Sequence, residues 1–227
     1  MVAAGLVPVT TVPGAVYGPL SLDLGATYYW RVDEVNDRAA PAKWSGEVWS
    51  FSTAPFITVD DFEGYTEQEG NRLYEAWRDG WDDPANGSVV GYTDAPFVEQ
   101  VVVHGGRQAM PLSYDNTGGI SSQATFTFAP GRNWTRHRIT TLVLFVQGEK
   151  GNTGGPLYVK INNAKVVYNG GPAGLTESQW KQWNIDLAAT GAALDNVTSL
   201  TIGVEGGGSG MLYFDDLRLY GPVPQTP

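Results

Sequence analysis

The 227-residue chain contains no cysteine, which removes disulfides, Cys–zinc sites and thiol catalysis in one step. That absence is neutral about compartment, because a β-protein of this size can be held together by its core or by a metal instead. Histidine is nearly as scarce, with two in all. His104 and His137 lie too far apart for a zinc pair at motif spacing, and both are expected as ordinary surface or turn residues. Positive charge is in deficit, with 14 Lys and Arg against 24 Asp and Glu and a formal net charge of −10. A surface of that sign repels a phosphate backbone, so nucleic acid is an unsuitable partner and an anionic membrane is no better. No apolar run is long enough for a membrane span, and Met1-Val2-Ala3-Ala4 lacks the basic start of a signal peptide. The Met reads as a start codon ahead of a cut fragment. No helical period persists, so at most a turn or two of helix is expected, residues 175–183 being the best candidate. The stretch 148–155, GEKGNTGG, lacks the Gly-Lys-Ser/Thr of a phosphate loop, and no Gly-x-Ser-x-Gly elbow occurs.

What the chain has instead is turn formers and aromatics: 29 Gly, 14 Pro, 8 Trp, 11 Tyr and 8 Phe, with only 17% charged residues. Aromatics suit a pleated, half-buried surface, and Gly and Pro supply turn geometry, so the expected class is all-β. Residues 122–128 alternate Ala124, Phe126 and Phe128 with polar neighbours. Residues 157–161 alternate Leu157, Val159 and Ile161 with Tyr158 and Lys160. Residues 142–146 are continuously apolar and fit a strand covered on both sides. Leu200, Ile202 and Val204 form another inward stripe. Further strands are expected near residues 72–77, 88–92, 108–114, 164–168, 181–187 and 211–220, and the glycine run 206–210 reads as a hairpin loop. Roughly ten strands over about 165 residues is the spacing of an antiparallel two-sheet β-sandwich, or jelly roll.

The first 54 residues read differently. Residues 22–53 show alternation at Tyr28, Trp30 and Val32, a turn-rich middle, then an aromatic strand through Trp49 and Phe51 ending in Thr-Ala-Pro. The run Leu22-x-Leu24-Gly25-x-x-Tyr28 followed by this strand resembles the second half of a fibronectin type III domain. The resemblance implies that the Tyr28 hydroxyl bonds to upstream backbone and that only the closing strands of such a unit are present, since a complete one needs about 100 residues. The expected division is 1–54 as a partial fibronectin-like segment, 55–222 as the sandwich and 223–227 as a tail.

Acidic clusters fall on the first and last strands of the sandwich, Asp60-Asp61-Phe62-Glu63 and Asp215-Asp216. Strand alternation puts Asp61 and Glu63 on one face, and Tyr213, Asp215, Leu217 and Leu219 on one face. If the terminal strands pair, these carboxylates converge, and converging carboxylates repel unless a cation neutralises them. Hard oxygen ligands in this number suit calcium. The motifs DDFEGY at the start and LYFDDLRLYG at the end resemble the opening and closing strands of calcium-containing β-sandwich carbohydrate-binding modules. That resemblance implies a structural Ca2+ on Asp61, Glu63 and Asp215, and a non-catalytic module of a larger secreted bacterial protein, extracellular or on the cell surface and monomeric. Its partner would be a polysaccharide or oligosaccharide.

Sugar sites use aromatic rings as platforms under pyranose faces, with polar side chains holding the hydroxyls. The segment 75–84, EAWRDGWDDP, is the first candidate, with Trp77, Arg78 and Trp81. Tyr92 sits in a turn-rich context, Tyr158 with Lys160 on the outward side of its strand, and Trp180 with Gln182 and Asn184 on the outward side of another. Trp183, Phe126, Phe145 and Phe214 are expected in the core. A spacer or adhesion domain that binds no sugar is the competing reading. A jelly-roll glycoside hydrolase or lyase using two carboxylates from Glu75, Asp79, Asp82 and Glu99 is a third, although no spacing singles out a pair.

Overall fold

A computed structural model describes residues 9–222, so the leading residues 1–8 and the expected tail 223–227 lie outside the described residues. Fifteen strands follow one another: β1 Thr27–Trp30, β2 Asp33–Val35, β3 Lys43–Ser45, β4 Trp49–Ser52, β5 Phe56–Asp60, β6 Trp77–Arg78, β7 Ser88–Val90, β8 Met110–Asp115, β9 Ser122–Arg132, β10 Thr141–Gly148, β11 Leu157–Ile161, β12 Ala164–Val167, β13 Lys181–Asp186, β14 Val197–Val204 and β15 Ser209–Tyr220. The chain is all-β, with helix limited to one α-helical turn, α1 Leu73–Ala76, and three short 3-10 turns among the described residues. The helical turn occupies most of a segment expected as strand. No helix among the described residues is long and apolar enough to cross a membrane.

Two antiparallel sheets stack face to face. In the first the order is β13-β10-β15-β8-β7, with β5 pairing the far end of β15; in the second it is β12-β11-β14-β9-β6. The core between them is built from the predicted stripes. Leu142, Leu144 and Val146 of β10 face Leu157, Val159 and Ile161 of β11 and Leu200, Ile202 and Val204 of β14 across it, all at 1% exposure or less. Met110, Leu112 and Tyr114 complete it from β8. As expected, the first and last strands of the sandwich are neighbours, with Tyr220 opposite Phe56 and Leu219 opposite Ile57. The glycine run 206–210 is not a hairpin loop. It joins β14 in the second sheet to β15 in the first, with Gly206 and Gly208 in the left-handed region.

Two expectations from strict alternation fail at the acidic clusters, for backbone reasons. In β15 the register against β10 slips between Val143 and Phe145, and Asp216 takes φ 50. That bulge inserts one residue, so Tyr213 and Asp215 point away from the core while Leu217 and Leu219 point into it. At the other end β5 stops at Asp60 and Phe62 has φ 60, so 61–63 is a turn whose central residue, Phe62, is driven fully into the core.

The N-terminal part forms two small hairpins, β1 with β4 and β2 with β3. The Tyr28 hydroxyl accepts the Asp23 N–H at 2.7 Å. Tyr28 stacks on Phe51, and Trp30 meets Trp49 edge-on at 4.7 Å. The segment touches the sandwich where the His137 ring donates to the Leu22 carbonyl at 2.7 Å and Arg138 reaches Asp23.

Candidate functional site

The outer face of the first sheet carries a grouping of aromatic and amide side chains turned away from the core. Register fixes its rows. Gln182, Phe145 and Asp215 lie side by side across β13, β10 and β15, and Gln147, Tyr213 and Pro111 form the next row across β10, β15 and β8. Asn184 of β13 stands opposite Val143 in the row above. Phe145, expected in the core, is on this face because Leu144 and Val146 take the inward positions on either side of it.

One loop builds a wall on this floor. Residues 91–109, between β7 and β8, fold over the sheet, held by the Gly91 N–H on the Pro111 carbonyl and by paired Glu99 and Ala109 backbone. Within this loop Glu99 is 6% exposed, and its carboxylate accepts the Tyr92 hydroxyl and the amides of Val101 and Val102. Burial works to raise the Glu99 carboxyl, yet Tyr92 and the amides of Val102, Val101 and Gln100 outweigh it and hold it below its ordinary value. Burial, with Glu99 beside it, raises the Tyr92 hydroxyl, which therefore stays protonated as a donor. Tyr213 donates to Glu149 in the same way, burial being again the main cause of its raised value. The imidazole of His104 stacks on Phe145 with centroids 3.5 Å apart, and Trp180 meets it edge-on at 5.8 Å. Tyr92, His104, Phe145 and Trp180 thus stand beside Gln147, Gln182 and Asn184, whose amides can both donate and accept.

Of the residues singled out in the sequence, Tyr92 and Trp180 come to this face. Trp77 does not. It is 0% exposed between Phe62 and Phe126, and its indole N–H donates to Asp60 at 2.8 Å, so its ring has no face left for a ligand. Tyr158 points outward from the second sheet, as alternation requires, but at 2% exposure it offers no platform. Its ring lies on Gly203 under the ammonium groups of Lys160 and Lys165. Arg78 is exposed on β6, at an edge of the second sheet. Trp81 is 66% exposed in the loop after β6, apart from the others. Glu75 caps α1 through the Arg72 N–H, and Asp79 accepts the N–H groups of Trp81 and Val90, so both acids are engaged in local structure. Glu99 and His104 are the residues whose roles sequence reasoning missed.

The acidic clusters converge on one segment. Asp215, fully buried, accepts the Asp216 amide on Oδ1 and the His104 and Gly105 amides on Oδ2. Glu63 Oε1 accepts the Arg107 and Gln108 amides at 2.7 and 2.8 Å. Asp61 turns back on the Glu63 amide at 3.3 Å. Burial raises the Asp215 carboxyl to about 6 against the lowering effect of those amides. Backbone N–H groups here face the positions a cation would take, and no group of three or more His, Asp or Glu among the described residues has the spacing to hold a metal ion. As arranged, with Asp215 and Glu63 oxygens taken by backbone N–H donors, the expected calcium ligands Asp61, Glu63 and Asp215 do not fit a calcium ion.

No family model matches the chain, and no curated protein matches it. Solved structures do. An exo-β-agarase aligns with a TM-score of 0.54 at 9% identity, over 74% of this chain and 25% of that one. The fold is shared. A family 11 carbohydrate-binding module from Clostridium thermocellum, in complex with a β-1,3-1,4-mixed-linked tetrasaccharide, aligns at 0.48 and 17% identity, over 74% of this chain and 96% of that one. The CBM22-1–GH10 modules of a xylanase from the same organism, complexed with xylohexaose, align at 0.45 and 12% identity, over 76% and 29%. At these identities the likeness concerns the β-sandwich alone.

Proposed function

We propose that this chain is a non-catalytic polysaccharide-binding module of a secreted protein, and that the outer face of the first sheet is its binding surface. The observation that carries the reading is the clustering of Tyr92, His104, Phe145 and Trp180 beside Gln147, Gln182 and Asn184 on one sheet face. An aromatic ring gives the C–H side of a pyranose an apolar platform, and amides bracket neighbouring hydroxyls. Asp215 holds the 104–105 turn against the sheet, and Glu99 fixes Tyr92, so the surface is pre-ordered before ligand arrives. Open, strand-based surfaces of this kind suit an extended neutral glycan bound at about micromolar to millimolar dissociation constants.

The fibronectin-like reading of residues 20–54 belongs to the same proposal, supported by the Tyr28 hydroxyl on upstream backbone and by the paired β1 and β4. Affinity electrophoresis across neutral plant and algal glycans tests the function. Retardation by at least one glycan, lost in Trp180→Ala and Tyr92→Ala, supports it, whereas migration unaffected by every glycan favours a spacer.

A further inference from the structure

The N-terminal strands make two ribbons, β1 with β4 and β2 with β3, that join neither sheet of the sandwich. A lone two-stranded ribbon is marginal in water, because it has no second layer against which to bury its apolar side. Register sorts the side chains of the first ribbon. Tyr28 opposes Phe51 and Trp30 opposes Trp49, so these four rings share one face, while Thr27, Tyr29, Ser50 and Ser52 share the other, with the Thr27 and Ser52 hydroxyls 2.8 Å apart. Arg31 and Lys43 both reach Asp33 at 2.8 Å, and alternation from that meeting of charges turns Trp44 of the second ribbon to the same side as Trp30. The aromatic face stays open, with Trp30, Trp44, Trp49 and Phe51 each 42–53% exposed. None of the four belongs to the core between the sandwich sheets.

Ring geometry selects what can cover this face. Trp30 and Trp49 stand at 76° to one another, so they do not offer the succession of flat rings on which a glycan chain lies. An edge beside a face is instead self-complementary, since a copy related by a two-fold axis sets its own edge on that face and its own face on that edge. Charge permits the approach: Arg31, Arg38 and Lys43 nearly balance Asp33, Glu34, Asp37 and Glu47 in the ribbons, so most of the net charge of −10 is carried elsewhere. At about 150–250 Å2 for a whole aromatic side chain, the open shares of the four rings amount to about 270–450 Å2 per copy. Two copies, with Val32 and the ribbon backbone around the rings, come to about the 1,000 Å2 at which specific interfaces begin. From this geometry we infer that the aromatic face is the seat of a second copy of this chain, the two ribbons packing face to face across a two-fold axis as a small β-sandwich. An area at that threshold gives a weak pair, with a dissociation constant of about 10–500 μM. The interface is separate from the outer face of the first sheet and does not rest on glycan binding.

Sedimentation equilibrium of the full chain, from about 5 to about 500 μM in about 0.15 M salt, tests this. The mass is expected to rise from that of one chain to that of two and to stop there. Trp30→Ser with Trp49→Ser should weaken the pair at least about tenfold, whereas Ser50→Arg, on the other face of the same strand, should leave it unchanged. Lowering the salt should weaken it, because two chains of net charge −10 then repel over a longer range. A second readout needs no substitution: the indole N–H signals of Trp30, Trp44 and Trp49 should move with protein concentration in the wild type while that of Trp81 stays still. A monomer at every concentration, growth beyond a pair, a pair indifferent to Trp30→Ser with Trp49→Ser, or ribbon indole signals independent of concentration would each overturn the proposal.

Discussion

Replacing Glu99 by Gln tests whether the loop over the sheet face is held by a buried carboxylate. In the native protein that carboxylate accepts the Tyr92 hydroxyl and the Val101 and Val102 amides, the last at 2.9 Å, with 6% of the residue exposed. A hydrogen bond to a charged group contributes about 1.5–3 kcal/mol, and three that share one acceptor do not add. Glutamine keeps one acceptor oxygen but turns an NH2 toward groups that only donate or prefer to. The expected loss is about 2–4 kcal/mol. For a chain of this length, at about 2–4 °C per kcal/mol, the melting midpoint should fall by roughly 4–16 °C. The Glu99 carboxyl is held below its ordinary value of 4.5, so its contribution is fully present above that pH and is lost as pH falls through the lower folded-state value. The gap between wild type and Glu99→Gln should therefore be widest near neutrality and narrow as pH falls below 4.5. Thermal melts of both proteins at pH 7 and pH 3.5 read this directly, and a Tyr92→Phe, Glu99→Gln cycle gives the coupling. Midpoints within a degree of each other at pH 7, or a gap that widens in acid, would refute the reasoning.

Trp77→Ala removes a fully buried indole and strips Asp60 of a donor, so it should cost at least about 3–5 kcal/mol and leave little folded protein, while Trp77→Phe folds with reduced stability; denaturant titration measures both. Gly203→Ala places a Cβ 2.5 Å from the Tyr158 ring, and should lower the midpoint without changing glycan retardation at the opposite sheet. The amide-capped carboxylates Glu63 and Asp215 predict equal melting midpoints with and without chelator after exhaustive dialysis. A fall reversed by calcium and poorly by magnesium would place a metal there.

Local pattern reveals the strands because alternation is a property of neighbouring residues: Leu157, Val159 and Ile161, or Leu200, Ile202 and Val204, declare their faces within five positions. It also reveals that the end strands meet, through the acidic clusters. What it hides is set by contacts remote in sequence. Trp77 sits among Glu75, Arg78 and Asp79 and reads as surface, but Asp60, Phe62 and Phe126, far along the chain, enclose it. Phe145 lies in a run of apolar residues with no polar alternation to mark its outward position. Tyr158 is outward yet covered, since the lysines that cover it come partly from the next strand. The bulge at Asp216 shifts the alternation of the closing strand by one. Glu99 had a legible signal: a lone acid in Val98-Glu99-Gln100-Val101-Val102-Val103 is a candidate for a buried, fully bonded carboxylate.

Amide and indole chemical-shift mapping, with the glycan that retards the protein most, tests the sheet-face site most directly. The account predicts shifts at the Trp180 indole and at the amides of Tyr92, His104, Phe145, Gln147, Gln182 and Asn184, with Trp180→Ala weakening binding about three- to tenfold, the equivalent of one stacked ring. Shifts confined to the outer face of the second sheet, around Thr125, Lys160 and Thr201, would contradict it.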